Sequence, residues 1–86
     1  MRIPEKIIYQ GRTVFVKSIK DPLFCQELWG NYNKNRIRLA SKTSRARKEE
    51  TFLHELLHMV DYKLDEKHVD RIASRLYRVF IDNKIL

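Results

Sequence analysis

The stretch 51–61, Thr-Phe-Leu-His-Glu-Leu-Leu-His-Met-Val-Asp, constrains this chain more than any other. It combines helical apolar spacing with His54-Glu55-Leu56-Leu57-His58, an H-E-x-x-H sequence. On an α-helix His54 and His58 lie one turn apart on one face, so two imidazoles can share one metal ion. Glu55 then sits close to the ion but free to act as a base. A chance match in so short a chain has odds of about one in several hundred from average His and Glu frequencies. Two solvated histidines are the plain alternative, and the helical wheel weighs against it. Leu53, Leu56, Leu57, Val60 and Leu64 follow the spacing of a buried stripe. His54, His58 and Asp61 form a second stripe along one edge of it, at the rim where a core meets a cleft.

The rest of the chain supplies a frame for that helix. Residues 6–9 and 12–19 are rich in β-branched and aromatic side chains, and Gln10-Gly11 between them reads as a tight turn. Val14 and Val16 face one side of the second run, with Thr13, Phe15 and Lys17 on the other. Lys20-Asp21-Pro22 breaks the pattern, and 23–27 fits either a loop or one helical turn. Residues 29–32 and 36–40 read as a second hairpin around Asn33-Lys34-Asn35, with Ile37 and Leu39 inward and Arg36 and Arg38 outward. Thr43 or Ser44 caps a helix running from about 45 to 62 or 64. Asp65 caps a second helix, 66 to about 81, that buries Val69, Ile72, Ala73, Leu76 and Phe80 and ends at Asn83. The expectation is one α+β domain over 1–86: a small antiparallel or mixed sheet of three to four strands, then two helices.

Two histidines leave a catalytic zinc site one protein ligand short. The candidates are Asp61, Glu66, His68 and Asp70. On the second helix Glu66, Asp70 and Tyr77 share one flank of the apolar stripe, and His68 lies on the other. Only one flank can face the first helix. Glu66 is therefore the expected third ligand, and Asp70 the acceptor for a ligand imidazole N–H. His68 is the alternative should the helix begin elsewhere. Tyr77 is a candidate oxyanion donor on the same flank, with Tyr62 and Tyr32 as rivals.

With these residues in place, the chain resembles the gluzincin metallopeptidases, which carry an H-E-x-x-H helix followed by a Glu-x-x-x-Asp helix. It is similar also to ImmA/IrrE-type peptidases and to the very small zincin-like proteins of phages and mobile elements. Glu66, Val69, Asp70 and Ala73 fit their second-helix order, and Leu76-Tyr77 and Asp82-Asn83 resemble the end of the phage-type helix. The resemblance covers about 47–83. It implies a minimal zincin core and an endopeptidase-type zinc enzyme acting on a peptide or protein, with Glu55 as general base. It implies further that the strand at 36–40 is the sheet edge on which an extended substrate pairs. The connection from His58 to Glu66 is short for a gluzincin, and the large C-terminal subdomain of bigger members has no counterpart.

Composition narrows the setting. At 86 residues the chain is near the lower limit for a self-sufficient core, and a bound metal would help hold it. The single Cys25 allows no internal disulfide and is expected as a small buried residue rather than a ligand. No signal-peptide pattern and no run of membrane-spanning length occur, so a cytoplasmic protein without membrane contact is expected. The net charge of +7 gathers at Lys34, Arg36, Arg38, Lys42, Arg45, Arg47 and Lys48. That run reads first as a solvated strand face and helix start. Its rival is a surface for nucleic acid or an acidic protein. The alternative function follows: a non-catalytic zinc-containing module that docks such a partner. A latent enzyme, its cleft covered by the tail or a partner, is a third reading.

Overall fold

The computed structural model describes residues 2–27 and 29–85, with residues 26 and 27 through their backbone only. Strands β1 (Lys6–Tyr9) and β2 (Arg12–Ile19) form an antiparallel hairpin. Gln10 and Gly11 both take positive φ, 50° and 75°, the pattern whose twist matches a two-residue hairpin. The ambiguous segment after β2 is the short helix α1 (Pro22–Glu27), opened by Asp21, whose Oδ1 accepts the Leu23 N–H at 2.9 Å. Cys25 is half-buried there, its Sγ 3.2 Å from the Ile19 carbonyl it donates to. Strands β3 (Gly30–Asn33) and β4 (Arg36–Ala40) form the second hairpin, with Asn33 Oδ1 accepting the Asn35 N–H at 2.9 Å.

The strands join in the order β1-β2-β4-β3, with β2 and β4 parallel and the other pairs antiparallel. This is the expected α+β fold with a mixed sheet. One expectation is corrected. The 36–40 strand is not an edge, because β4 is hydrogen-bonded to β2 on one side and β3 on the other. Ile37, Leu39 and Ala40 are accordingly buried. The free edge on this side is β3.

Helices α2 (Arg45–Val60) and α3 (Glu66–Asp82) follow. Ser44 caps α2 by accepting the Arg47 N–H at 3.1 Å, while the Thr43 hydroxyl is turned to the Ala40 carbonyl. Asp65 caps α3 through the His68 N–H at 2.8 Å. α2 lies against β3 and β4, and α3 packs chiefly on α2. The core joins Val14, Ile37 and Leu39 of the sheet to Phe52 and Leu53 of α2 and Ala73 of α3. Two apolar expectations fail, each for its own reason. Val60 is 51 % exposed because α2 stops there, short of the expected 62 or 64, at the Asp61 cap. Ile72 is 37 % exposed because α3 is the outermost layer, and the ridge of Val69 and Ala73 alone is fully covered. Among the described residues, no helix is long and apolar enough to cross a membrane.

Gly30 sets how closely β3 approaches α2. A Cβ there would stand 2.6 Å from Thr51 Cγ2 and 2.8 Å from the Arg38 carbonyl oxygen. The Thr51 methyl can turn away, but the Arg38 backbone is held in the ladder. Gly30→Ala is expected to lower stability by about 1–3 kcal/mol, the usual cost of overpacking, read as a lower urea midpoint at unchanged slope.

Candidate metal centre

α2 places its two histidines one turn apart on the flank that faces the start of α3. The connection is short and stiff: Asp61 accepts the Lys63 N–H on Oδ1 and the Leu64 N–H on its carbonyl, and Asp65 then caps α3. Glu66, the first residue of α3, reaches back across this turn. Its Oε1 lies 2.7 Å from His54 Nε2 and its Oε2 lies 2.8 Å from His58 Nε2. The two Nε2 atoms are 3.1 Å apart. One turn along α3, Asp70 Oδ1 lies 2.9 Å from His54 Nδ1. On the other side Tyr32 of β3 stacks on the His58 ring, 5.8 Å between centroids and 6° from parallel. Both imidazoles are mostly covered, while the Glu66 carboxylate is open to solvent.

The donor set fits a divalent cation. His54 Nδ1–H donating to Asp70 fixes the tautomer whose Nε2 lone pair points into the cluster. Held by protons alone, the cluster needs an N–H on each Nε2, and two such N–H groups crowd each other at 3.1 Å. A cation removes that conflict, since it takes lone pairs from both rings and a carboxylate oxygen. Ligands around tetrahedral zinc at about 2.0–2.2 Å stand roughly 3.4 Å from one another. His54, His58 and Glu66 offer atoms that need to open only slightly from the present separations to match that.

Glu55 completes the arrangement. It is only 8 % exposed and lines the same groove, a cavity of about 980 Å³ between β3, α2 and α3. Among the described residues its carboxylate has no hydrogen-bond or ion-pair partner. Burial pushes its pKa up; the two histidines pull it back, and Glu66 adds to the rise. Earlier on α2 the groove is lined by Arg47, which lies over the Trp29 ring at 3.8 Å and pairs with Glu50 at 3.7 Å.

The other candidates lie elsewhere. His68 Nδ1 is tied to Asp65 Oδ1 at 2.7 Å and lines the groove away from the cluster. Asp61 serves the turn, and Tyr62 is exposed. Tyr77, the expected oxyanion donor, is corrected: its hydroxyl donates to Glu49 Oε1 at 2.7 Å, and it does not line the groove. Seven residues beyond Asp70 on α3, it has climbed to the first half of α2. Glu49, a buried carboxylate with Arg45 Nε at 3.4 Å, is its reason for being there. Tyr32, named from the sequence as a rival oxyanion donor, stands as the stacking neighbour of His58, a contact that no spacing could give because none links a strand to a helix ring. Searches with this chain match no family model, no curated protein and no solved structure.

Burial first, and then the Glu49 carboxylate, hold the Tyr77 phenol up at about 12. A phenol raised in the folded state adds stability at pH below its ordinary value of 10, and that contribution is lost as pH rises through about 12. Tyrosinate absorbance is expected to show a step near 12 that Tyr77→Phe removes. The same substitution is expected to cost about 1–3 kcal/mol in denaturant melts, because buried Glu49 loses a donor.

Proposed function

We propose that this protein is a zinc-dependent peptidase. The observation that carries the reading is Glu55, a partly desolvated carboxylate that no protein group pairs and whose oxygens keep contact with the groove, beside two imidazoles and a carboxylate drawn together by separate helices. An acid kept only for stability would be paired, because even partial desolvation of a lone carboxylate is unfavourable. A purely structural zinc site has no use for it. That separates this reading from the non-catalytic module.

His54, His58 and Glu66 would hold the zinc. When bound there, zinc supplies Lewis acidity, lowering the pKa of water and polarising a carbonyl. The residues of the chain do the rest. Asp70 holds the His54 ring by its Nδ1–H, and Tyr32 braces the His58 ring by stacking. Glu55 takes the proton of the attacking water and returns it to the leaving amine. An extended peptide adds to the free edge of β3, the strand that carries Tyr32 to His58 and whose Gly30 lines the groove. Main-chain pairing there positions a scissile bond without demanding a particular sequence. Tyr77, committed to Glu49, does not serve as an oxyanion donor.

Zinc titration of the purified protein is expected to give one ion per chain, lost in His58→Ala and Glu66→Gln. Asp70→Asn is expected to weaken zinc about 10–100-fold. Glu55→Gln is expected to keep the zinc and lower hydrolysis of an unstructured peptide by about 100–10,000-fold. Wild-type protein that takes up no stoichiometric zinc overturns the reading.

A further inference from the structure

α2 packs on one face of the sheet with α3 beyond it, and on the opposite face Phe24 of α1 lies against Arg38. No strand contains an Asp or Glu; every acidic residue lies in a helix, cap or loop. The open face is built from Lys6, Phe15, Lys17, Arg36 and Arg38. Strand register orders them. Phe15 stands between Lys6 of β1 and Arg36 of β4, one on each side, and Lys17 stands beside Arg38 in the next row. The Lys17 ammonium lies 5.5 Å from the centre of the Phe15 ring, and that ring is 44 % exposed. Arg38, half-buried, lies 5.5 Å from the centre of the Phe24 ring of α1 and donates from Nε to Asn31 Oδ1 at 2.8 Å.

Cations side by side across a sheet repel each other, and no acidic residue in the strands offsets the repulsion. A polyanion does. We infer that this face binds single-stranded nucleic acid, the backbone lying along the cations and a base stacking on Phe15. The strip spans two interstrand spacings, about 10 Å from the Lys6 row position to that of Arg36, and its middle is an aromatic ring. That is the pairing of charged track and stacking platform that single strands use. Among the described residues the only helix at this face is α1, six residues long and too short to lie along the major groove of a duplex. An acidic polypeptide would meet the charge but would gain little from the open ring.

The test is fluorescence anisotropy of the full chain with a labelled oligothymidylate, followed over a salt series. Neutralising about four phosphates gives a slope of log affinity against log salt near −3. Lys6→Glu with Lys17→Glu, both at exposed positions, is expected to weaken binding roughly tenfold or more. Phe15→Ala is expected to weaken it about fivefold or more with the salt slope unchanged. Lys63→Glu in the α2–α3 turn, on the helical side, is expected to have little effect. The inference is overturned if Lys63→Glu costs as much as the sheet-face reversals, or if those reversals cost nothing in protein with a wild-type melting temperature. It is overturned equally if Phe15→Ala is silent and polyglutamate competes as well as the oligonucleotide, which would make the partner an acidic protein, or if duplex DNA binds more tightly than the single strand.

Discussion

The Glu66 carboxylate, drawn across a five-residue turn onto two imidazoles, is the interaction on which the rest of the molecule turns. It exists because α3 starts where it does. Asp65 satisfies the first free N–H groups of the helix, and burial at Val69 and Ala73 fixes the rotation of α3 about its axis. With both set, positions 66 and 70 must face α2. Glu66 is exposed, so its geometry owes nothing to packing of its own side chain. It is placed by the backbone, and the backbone is placed by residues one turn away. A longer turn would let α3 slide and separate the three groups.

α2 is the middle layer, with the sheet beneath and α3 above. A middle helix has little solvent-facing surface, so polar residues in it are buried unless they sit at a rim. Glu49, Thr51 and Glu55 are all buried, and each answers the problem differently. Glu49 is satisfied by Tyr77 and Arg45. Thr51 turns its methyl toward Gly30, where β3 comes closest. Glu55 is not satisfied by protein at all, and it faces the groove. The fold thus tolerates one uncompensated acid at the position where a proton acceptor would be useful, which is the kind of local cost that functional sites carry.

The sequence made the helices legible because their signals are local. Ser44 and Asp65 are caps readable from one residue type and its neighbours, and the His54–His58 and Glu66–Asp70 spacings follow from helical pitch alone. Periodicity went wrong where coverage depends on a partner. Val60 and Ile72 lie on their apolar stripes, but no element extends far enough to cover them. The position of β4 was hidden for a different reason. Strand order is a non-local property: the chain leaves β2, passes through α1, and lays β3 outside before β4 returns to pair beside β2. Nothing in 36–40 distinguishes an edge strand from a central one except Ile37 and Leu39, which fit both. Tyr77 misled because a helix flank gives direction but not height.

The same non-locality redistributes the charge. The basic run at 34–48 looks continuous in sequence, yet the fold splits it. Arg45 and Arg47 go to α2, where Glu49 and Glu50 meet them, while Arg36 and Arg38 turn to the open sheet face and join Lys6 and Lys17 from distant positions. The acids move the other way, with Glu55, Glu66 and Asp70 gathered around the groove on the helical side. Over a molecule only 33 × 30 × 25 Å, separated charge of this kind is a field and not only a set of pairs. The sheet thus divides a face whose strands carry no acid from a groove in which Glu50, Glu55, Glu66 and Asp70 stand among Arg47, Lys67 and Arg71.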